Sequence, residues 1–152
     1  MCIRDRVYGQ PSIAAVGVAC HEAGHALQHA AGYAPLKLRS LLVKPASFGS
    51  QLGFYVMFAG LAFQSAGMFQ IGTILFSAFV LFTLITLPVE FDASNRAKRL
   101  AVEQGILAPQ EREGMDRVLN AAALTYVAAA ASSILTLLYF LMRAGVLGGQ
   151  RD

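Results

Sequence analysis

The sequence predicts an all-α membrane protein with a transmembrane helical hairpin and a third transmembrane helix. A further helix, which carries a short sequence motif, is predicted at the membrane surface. The composition is 56% hydrophobic and only 14% charged, whereas soluble domains carry about 25% charged residues. The stretch from Ala46 to Val89 contains no charged residue and is about twice as long as the roughly 20 residues that cross a bilayer. Finally, His21 and His25 are four residues apart on a predicted helix.

The first helix is predicted over residues 12–31. Pro11 and Ser12 are favourable at a helix start, and Gly32 is a favourable stop. Residues 33–47 contain two prolines and three basic residues, so an irregular connector or a short strand is expected there. Residues 1–11 are expected to be a non-native or truncated start, and residues 1–152 are treated as one membrane domain.

The transmembrane hairpin is expected over residues 48–88. Its first limb begins at about Leu52, or near Phe48, and ends at Phe63. A polar and glycine-containing break over residues 64–70 precedes the second limb, residues 71–87. Pro88 lacks an N–H and crowds the carbonyl four residues earlier, so it should kink or close that helix.

After the hairpin, residues 89–117 predict a polar helical segment in which Gly105 caps a helix. Residues 118–142 are uncharged and long enough to form the third span. One set of small side chains should allow close helix packing in lipid: Ala121, Ala128, Ala129, Ala130, Ala131, Ser132 and Ser133.

The basic residues predict the orientation, because short cytoplasmic loops are enriched in Lys and Arg. Both flanks of the hairpin are basic and its tip is not, so both flanks should be cytoplasmic and the C-terminal tail should lie outside. These flanking residues are Arg4, Arg6, Lys37, Arg39 and Lys44, then Arg96, Lys98, Arg99, Arg112 and Arg117. These basic residues lie beside apolar runs, which argues against nucleic acid as a partner despite the net charge of +3. Two cysteines, Cys2 and Cys20, are too few for a disulfide framework.

The motif His21-Glu22-Ala23-Gly24-His25 matches the H-E-x-x-H pattern of a zincin-like helix. Residues four apart share one helical face, so both imidazoles can reach one Zn²⁺. Glu22 lies on the adjacent face, where it can act as the general base toward a zinc-activated water. The sequence therefore predicts a zinc site with His21 and His25 as ligands and Glu22 as the catalytic residue.

A third protein ligand is expected, because catalytic zinc sites use three. His29 is excluded, since it lies about 12 Å from His21 along a continuous helix. A two-span hairpin returns the chain to the face that it left, which favours Glu90 as the ligand and keeps Asp92 as the alternative. Asp92 could instead pair with Arg96 or hold a ligand histidine.

Four segments resemble the YugP-like family of membrane neutral zinc metallopeptidases: SIAAVGVACHEAGHALQHAA, LRSLLVKPASFGSQL, LPVEFDASNRA and AAALTYVAAAASS. The resemblance extends from about Val7 to about Met142 and leaves out residues 1–6. It implies a bacterial membrane protein that holds zinc on the two histidines and a downstream acidic residue. It also implies an N-terminal membrane span that this sequence lacks.

The function expected from the residues is a zinc-dependent membrane endopeptidase that hydrolyses peptide bonds. It would be a multi-pass protein of the bacterial inner membrane, with its active site on the cytoplasmic side and a peptide or protein as substrate. Two alternatives stay open, namely an intramembrane protease and a non-catalytic zinc-binding membrane scaffold. Asn95 and Arg96 are near enough to Glu90 to stabilise an oxyanion, but a solvated helix face is the favoured interpretation.

Overall fold

The computed structural model describes residues 12–143, and within that range the protein consists of four α-helices and no strand. They are α1 (Ile13–Ala30), α2 (Ala34–Ala62), α3 (Ala66–Glu103) and α4 (Arg112–Arg143). The all-α prediction is therefore confirmed for the described residues. The expectations for residues 1–11 lie outside them.

Helix α1 begins and ends where the sequence predicts. The hydroxyl of Ser12 caps the N-terminus by accepting a hydrogen bond from the N–H of Ala15 at 3.1 Å. Gly32 follows the C-terminus with a φ of +66°, a conformation that glycine adopts without strain. Its N–H and that of the next residue donate to the carbonyls of His29 and Gln28 at 3.1 and 2.9 Å, which is the Schellman arrangement.

One expectation about a proline-containing segment is wrong, and another is wrong in one of its two alternatives. Residues 34–47 are neither a connector nor a strand but the first half of α2, which continues through Pro45. Helix α3 likewise continues through Pro88, so this proline does not close it. A proline inside a helix costs about 3 kcal/mol. The residues that follow the two prolines, Ala46 and Val89, are buried.

The predicted break between the hairpin limbs is confirmed, although it is shorter than expected. Only residues 63–65 separate α2 from α3, and Gln64 adopts a φ of 52° there. The N–H of Ser65 donates to the carbonyl of Gly60 at 2.8 Å. At the far end of α3, Gly105 has a φ of +64° and caps the helix as predicted.

The described chain divides into two compact units. The first contains residues 12–37 and 86–127, and the second contains residues 38–85 and 128–143. The core of the first unit is formed by Cys20, Ala97, Ala101, Leu107, Met115 and Leu119. The core of the second is aromatic and aliphatic, with Met57, Phe69, Phe76 and Val80 at its centre.

Among the described helices, α3 and α4 are long and apolar enough to cross a membrane. Only 28% and 17% of their most apolar windows are buried within the protein, whereas a helix in the core of a soluble protein is mostly buried. Helix α2 does not meet the same criterion. Its first half carries Lys37, Arg39 and Lys44, and its second half includes Ser50 and Gln51.

In the second unit, helices α2 and α3 approach each other closely through glycines. A Cβ atom on Gly53 would lie 3.0 Å from the carbonyl oxygen of Gly72, and one on Gly72 would lie 2.5 Å from the Met57 side chain.

Of the small residues predicted to pack in the third span, Ala130 and Ser133 are buried. The others are exposed: Ala121, Ala128, Ala129, Ala131 and Ser132.

In the first unit, α1 and α3 are in backbone contact at Gly24. A Cβ atom at this position would lie 2.4 Å from the carbonyl oxygen of Ala93 and 3.1 Å from its carbonyl carbon. No side chain fits in that space, and both atoms belong to the rigid backbone of a helix. The contact therefore holds the turn between His21 and His25 directly against α3.

We expect Gly24→Ala to lower the melting temperature of the purified protein in detergent. Alanine should gain up to about 1 kcal/mol of helix propensity, but forcing a methyl group into a packed contact costs about 1–3 kcal/mol. Gly17→Ala is the matched control in the same helix, because its Cβ would lie 3.6 Å from the Met115 side chain, an ordinary contact. Circular dichroism melting curves that shift equally for the two variants would contradict the close approach.

Candidate metal centre

Three ligand-type side chains converge where α1 meets α3. Oε2 of Glu90 lies 3.2 Å from Nε2 of His21 and 3.7 Å from Nε2 of His25. The possible ligand atoms of these three residues all lie within 4.8 Å of one another. The two imidazole rings are 4.7 Å apart between centroids and nearly perpendicular, at 85°. The spacing of four residues thus places both rings on the face of α1 that meets Glu90.

Glu90 is almost completely buried, with 1% of the residue exposed. An ionised carboxylate in such a place is costly unless a cation lies beside it. The two histidines are only partly buried, with 17% and 20% of their side chains exposed. The cluster is therefore anchored inside the protein by the carboxylate and reachable from the surface at the imidazoles.

This donor set fits Zn²⁺. Two imidazole nitrogens and one carboxylate oxygen form the three-protein-ligand set of one class of catalytic zinc site. With metal–ligand bonds of about 2.0–2.1 Å, the ligand atoms of a tetrahedral site lie about 3.3 Å apart. The distances of 3.2 and 3.7 Å from Glu90 to the two imidazoles are close to that value, so small side-chain movements suffice to hold an ion.

Glu22 and His29 lie on exposed parts of α1. Glu22 follows His21 directly, and within the described residues no hydrogen bond or ion pair of its carboxylate is found. It is therefore available to accept a proton. His29 does not belong to the converging group, in agreement with its exclusion as a ligand by helix geometry.

Asp92 has different contacts from Glu90. Its Oδ2 accepts hydrogen bonds from Nε2 of Gln28 at 2.8 Å and from Nε of Arg96 at 2.7 Å. Burial opposes ionisation of this carboxyl, but these two hydrogen bonds and the nearby charges of Arg96 and Arg99 outweigh it and lower the pKa of Asp92. Arg96 is thereby engaged with Asp92, and Asn95 is exposed.

Two residues at the site were missed by the sequence analysis. Nδ1 of His25 lies 2.9 Å from Oε1 of Gln28, and Nδ1 of His21 lies 3.1 Å from Oγ of Ser94. A signal was present in the spacing, since Gln28 lies three residues after His25 and Ser94 lies four residues after Glu90. Each therefore shares a helical face with a candidate ligand.

Residues 1–145 match a family described as "Putative neutral zinc metallopeptidase". The matched range includes residues 1–6, which lie outside the range of the family resemblance inferred from the sequence segments. The chain is also 46% identical over 140 residues to "Putative membrane protease YugP" of Bacillus subtilis (strain 168). The alignment covers 92% of this chain but 62% of that relative, so the chain spans less than two thirds of the relative's length. No solved structure matches the chain. The match covers nearly the whole length of the chain, so the chain belongs to the family described as "Putative neutral zinc metallopeptidase".

Proposed function

We propose that this protein is a zinc-dependent membrane endopeptidase, in which His21, His25 and Glu90 hold the metal and Glu22 is the general base. The observation that carries the proposal is the convergence of two imidazole nitrogens on one oxygen of a buried carboxylate. Glu90 is preferred to Asp92 because its carboxylate faces the histidines, whereas Asp92 accepts hydrogen bonds from Gln28 and Arg96.

When bound, Zn²⁺ lowers the pKa of a water molecule and polarises a carbonyl group. Glu22 follows His21 in the chain and has an exposed carboxylate. It accepts a proton from the water that attacks the scissile carbonyl carbon. It then donates this proton to the departing amine nitrogen as the peptide C–N bond breaks, and so returns to its carboxylate form.

We place this site at the cytoplasmic surface of the bacterial inner membrane in a multi-pass protein. The hairpin would be formed by the second half of α2 and the first half of α3, and the third span by α4. The two apolar helices, the close glycine packing of α2 on α3 and the name of the Bacillus subtilis relative support this topology. The substrate would be a peptide or protein.

Replacing Glu22 with Gln should preserve zinc binding and lower proteolysis by about 100-fold or more, because general acid–base catalysis contributes about 10²–10⁴-fold. Hydrolysis of fluorescently labelled casein and the zinc content of the purified protein measure the two effects. Glu103→Gln is the control, since Glu103 is an exposed carboxylate that pairs with Arg99. Zinc binding without proteolysis in the wild type would favour the scaffold function instead.

Replacing Glu90 with Gln should weaken zinc binding by more than about 100-fold, because it removes a charged ligand. Asp92→Asn should change the affinity by less than about tenfold, because asparagine retains an oxygen that accepts from Gln28. Competition with a chromophoric chelator measures both affinities. The reverse order of the two effects would identify Asp92 as the third ligand.

Cysteines placed at Ala23 and Ala26 should react with a polar, membrane-impermeant maleimide, because both positions are exposed on α1. The parent protein would carry Cys2→Ser and Cys20→Ala. Labelling should occur in inverted membrane vesicles and not in intact cells if the site is cytoplasmic. An absence of labelling in both, with full labelling after unfolding, would support the intramembrane protease.

A further inference from the structure

Gln28 is a fully buried polar residue at the junction of α1 and α3, with 0% of its surface exposed. Its amide makes three contacts. Oε1 lies 2.9 Å from Nδ1 of His25, and Nε2 donates to the carbonyl of Val89 and to Oδ2 of Asp92, each at 2.8 Å. A buried amide with all of these contacts made is held in a single position.

The contacts of Gln28 determine which end of its amide faces His25. A backbone carbonyl and a carboxylate, the groups of Val89 and Asp92, only accept hydrogen bonds, so the NH₂ group must point toward them. The amide oxygen must then face His25. Arg96 strengthens the arrangement by donating to the same Asp92 oxygen at 2.7 Å, which keeps that carboxylate in place.

The orientation of Gln28 in turn determines the proton position on His25. Because Oε1 can only accept, Nδ1 of His25 must carry the hydrogen that is donated to it. In the neutral ring the lone pair is then on Nε2. This is the nitrogen that lies 3.7 Å from Oε2 of Glu90, so the lone pair faces the converging group.

Ser94 contacts the other ring, that of His21, through a hydroxyl that can either donate or accept a hydrogen bond. Its hydroxyl lies 3.1 Å from Nδ1 of that ring, and the residue is 5% exposed. The opposite ring nitrogen, Nε2, lies 3.2 Å from Oε2 of Glu90. Both imidazoles thus turn Nε2 toward the carboxylate and Nδ1 toward a polar side chain.

We propose that Gln28 and Ser94 are positioning residues: Gln28 holds His25 with Nδ1–H turned to its amide oxygen, Ser94 orients the ring of His21, and each Nε2 is thereby turned toward the proposed metal site. The proposal rests on the proposed zinc site. Outer partners of this kind orient the ring and raise its basicity, and their loss costs about 10–100-fold in metal affinity. Neither residue contacts the reacting atoms.

The test uses Gln28→Met, which keeps the length and approximate volume of the side chain and removes the acceptor. The chain has three histidines, so ring ¹⁵N chemical shifts in histidine-labelled protein can be assigned by comparison with His29→Gln and with His21→Gln, each of which removes one set of signals. In metal-free wild type at pH 8, His25 should show the Nδ1–H tautomer. In Gln28→Met we expect this tautomer to give way to a mixture, and zinc affinity to fall by about 10–100-fold.

Ser94 offers a matched pair of variants. Ser94→Ala removes the hydroxyl that contacts Nδ1 of His21 and should lower zinc affinity by about tenfold or more, whereas Ser94→Thr keeps a hydroxyl and should restore most of it. Leu119→Ala controls for lost stability, because Leu119 lies in the core of the first unit and outside this hydrogen-bond network. Its melting temperature should fall while its zinc affinity and histidine tautomers stay unchanged.

The outcomes separate the positioning role from the metal site itself. Failure of the wild type to bind zinc would overturn the proposed site. Zinc binding by wild type and Gln28→Met with equal affinity, or an unchanged His25 tautomer in that variant, would overturn only the positioning role. An equal loss of affinity in Leu119→Ala would show that the effect reflects stability, and would also overturn it.

Discussion

The backbone contact between α1 and α3 at Gly24 is the constraint on which the candidate site depends. Two helices with ordinary side chains between them have axes about 8–10 Å apart, and such a separation would move the imidazoles away from α3. At Gly24 the absent side chain lets the carbonyl of Ala93 approach to within 2.4 Å of where a Cβ would lie. Gly24, the second variable position of the H-E-x-x-H motif, is therefore as important to the geometry of the candidate site as the two histidines of that motif.

The same contact places the buried carboxylate of Glu90 beside two imidazoles. The energetic cost of placing an ionised group in the interior falls only when opposite charge and hydrogen-bond donors surround it. Here the surrounding groups are two imidazoles, and Gln28 and Ser94 contact the other nitrogen of each ring. A cation held among these three side chains would offset that cost.

Much of the fold could be predicted from local patterns. The cap at Ser12 and the stops at Gly32 and Gly105 follow from side-chain chemistry and from the backbone freedom of glycine. The prolines misled the prediction in part, because α2 continues through Pro45 and α3 does not close at Pro88. The local cost of a proline is visible in a sequence, but the tertiary packing of the residues around it is not.

The sequence by itself determined the motif chemistry, because a spacing of four residues places His21 and His25 on one helical face whatever else the chain does. It also restricted the third ligand to the acidic residues that follow the hairpin. Only the tertiary structure distinguishes the surroundings of Glu90 from those of Asp92, since both lie on α3 and differ in which neighbours they meet. The contact of Ser94 with His21 and those of Gln28 with Val89 and Asp92 likewise join residues more than 60 apart in sequence, whereas the contact of Gln28 with His25 is local. No local pattern encodes the long-range contacts, because they arise from how two distant helices pack.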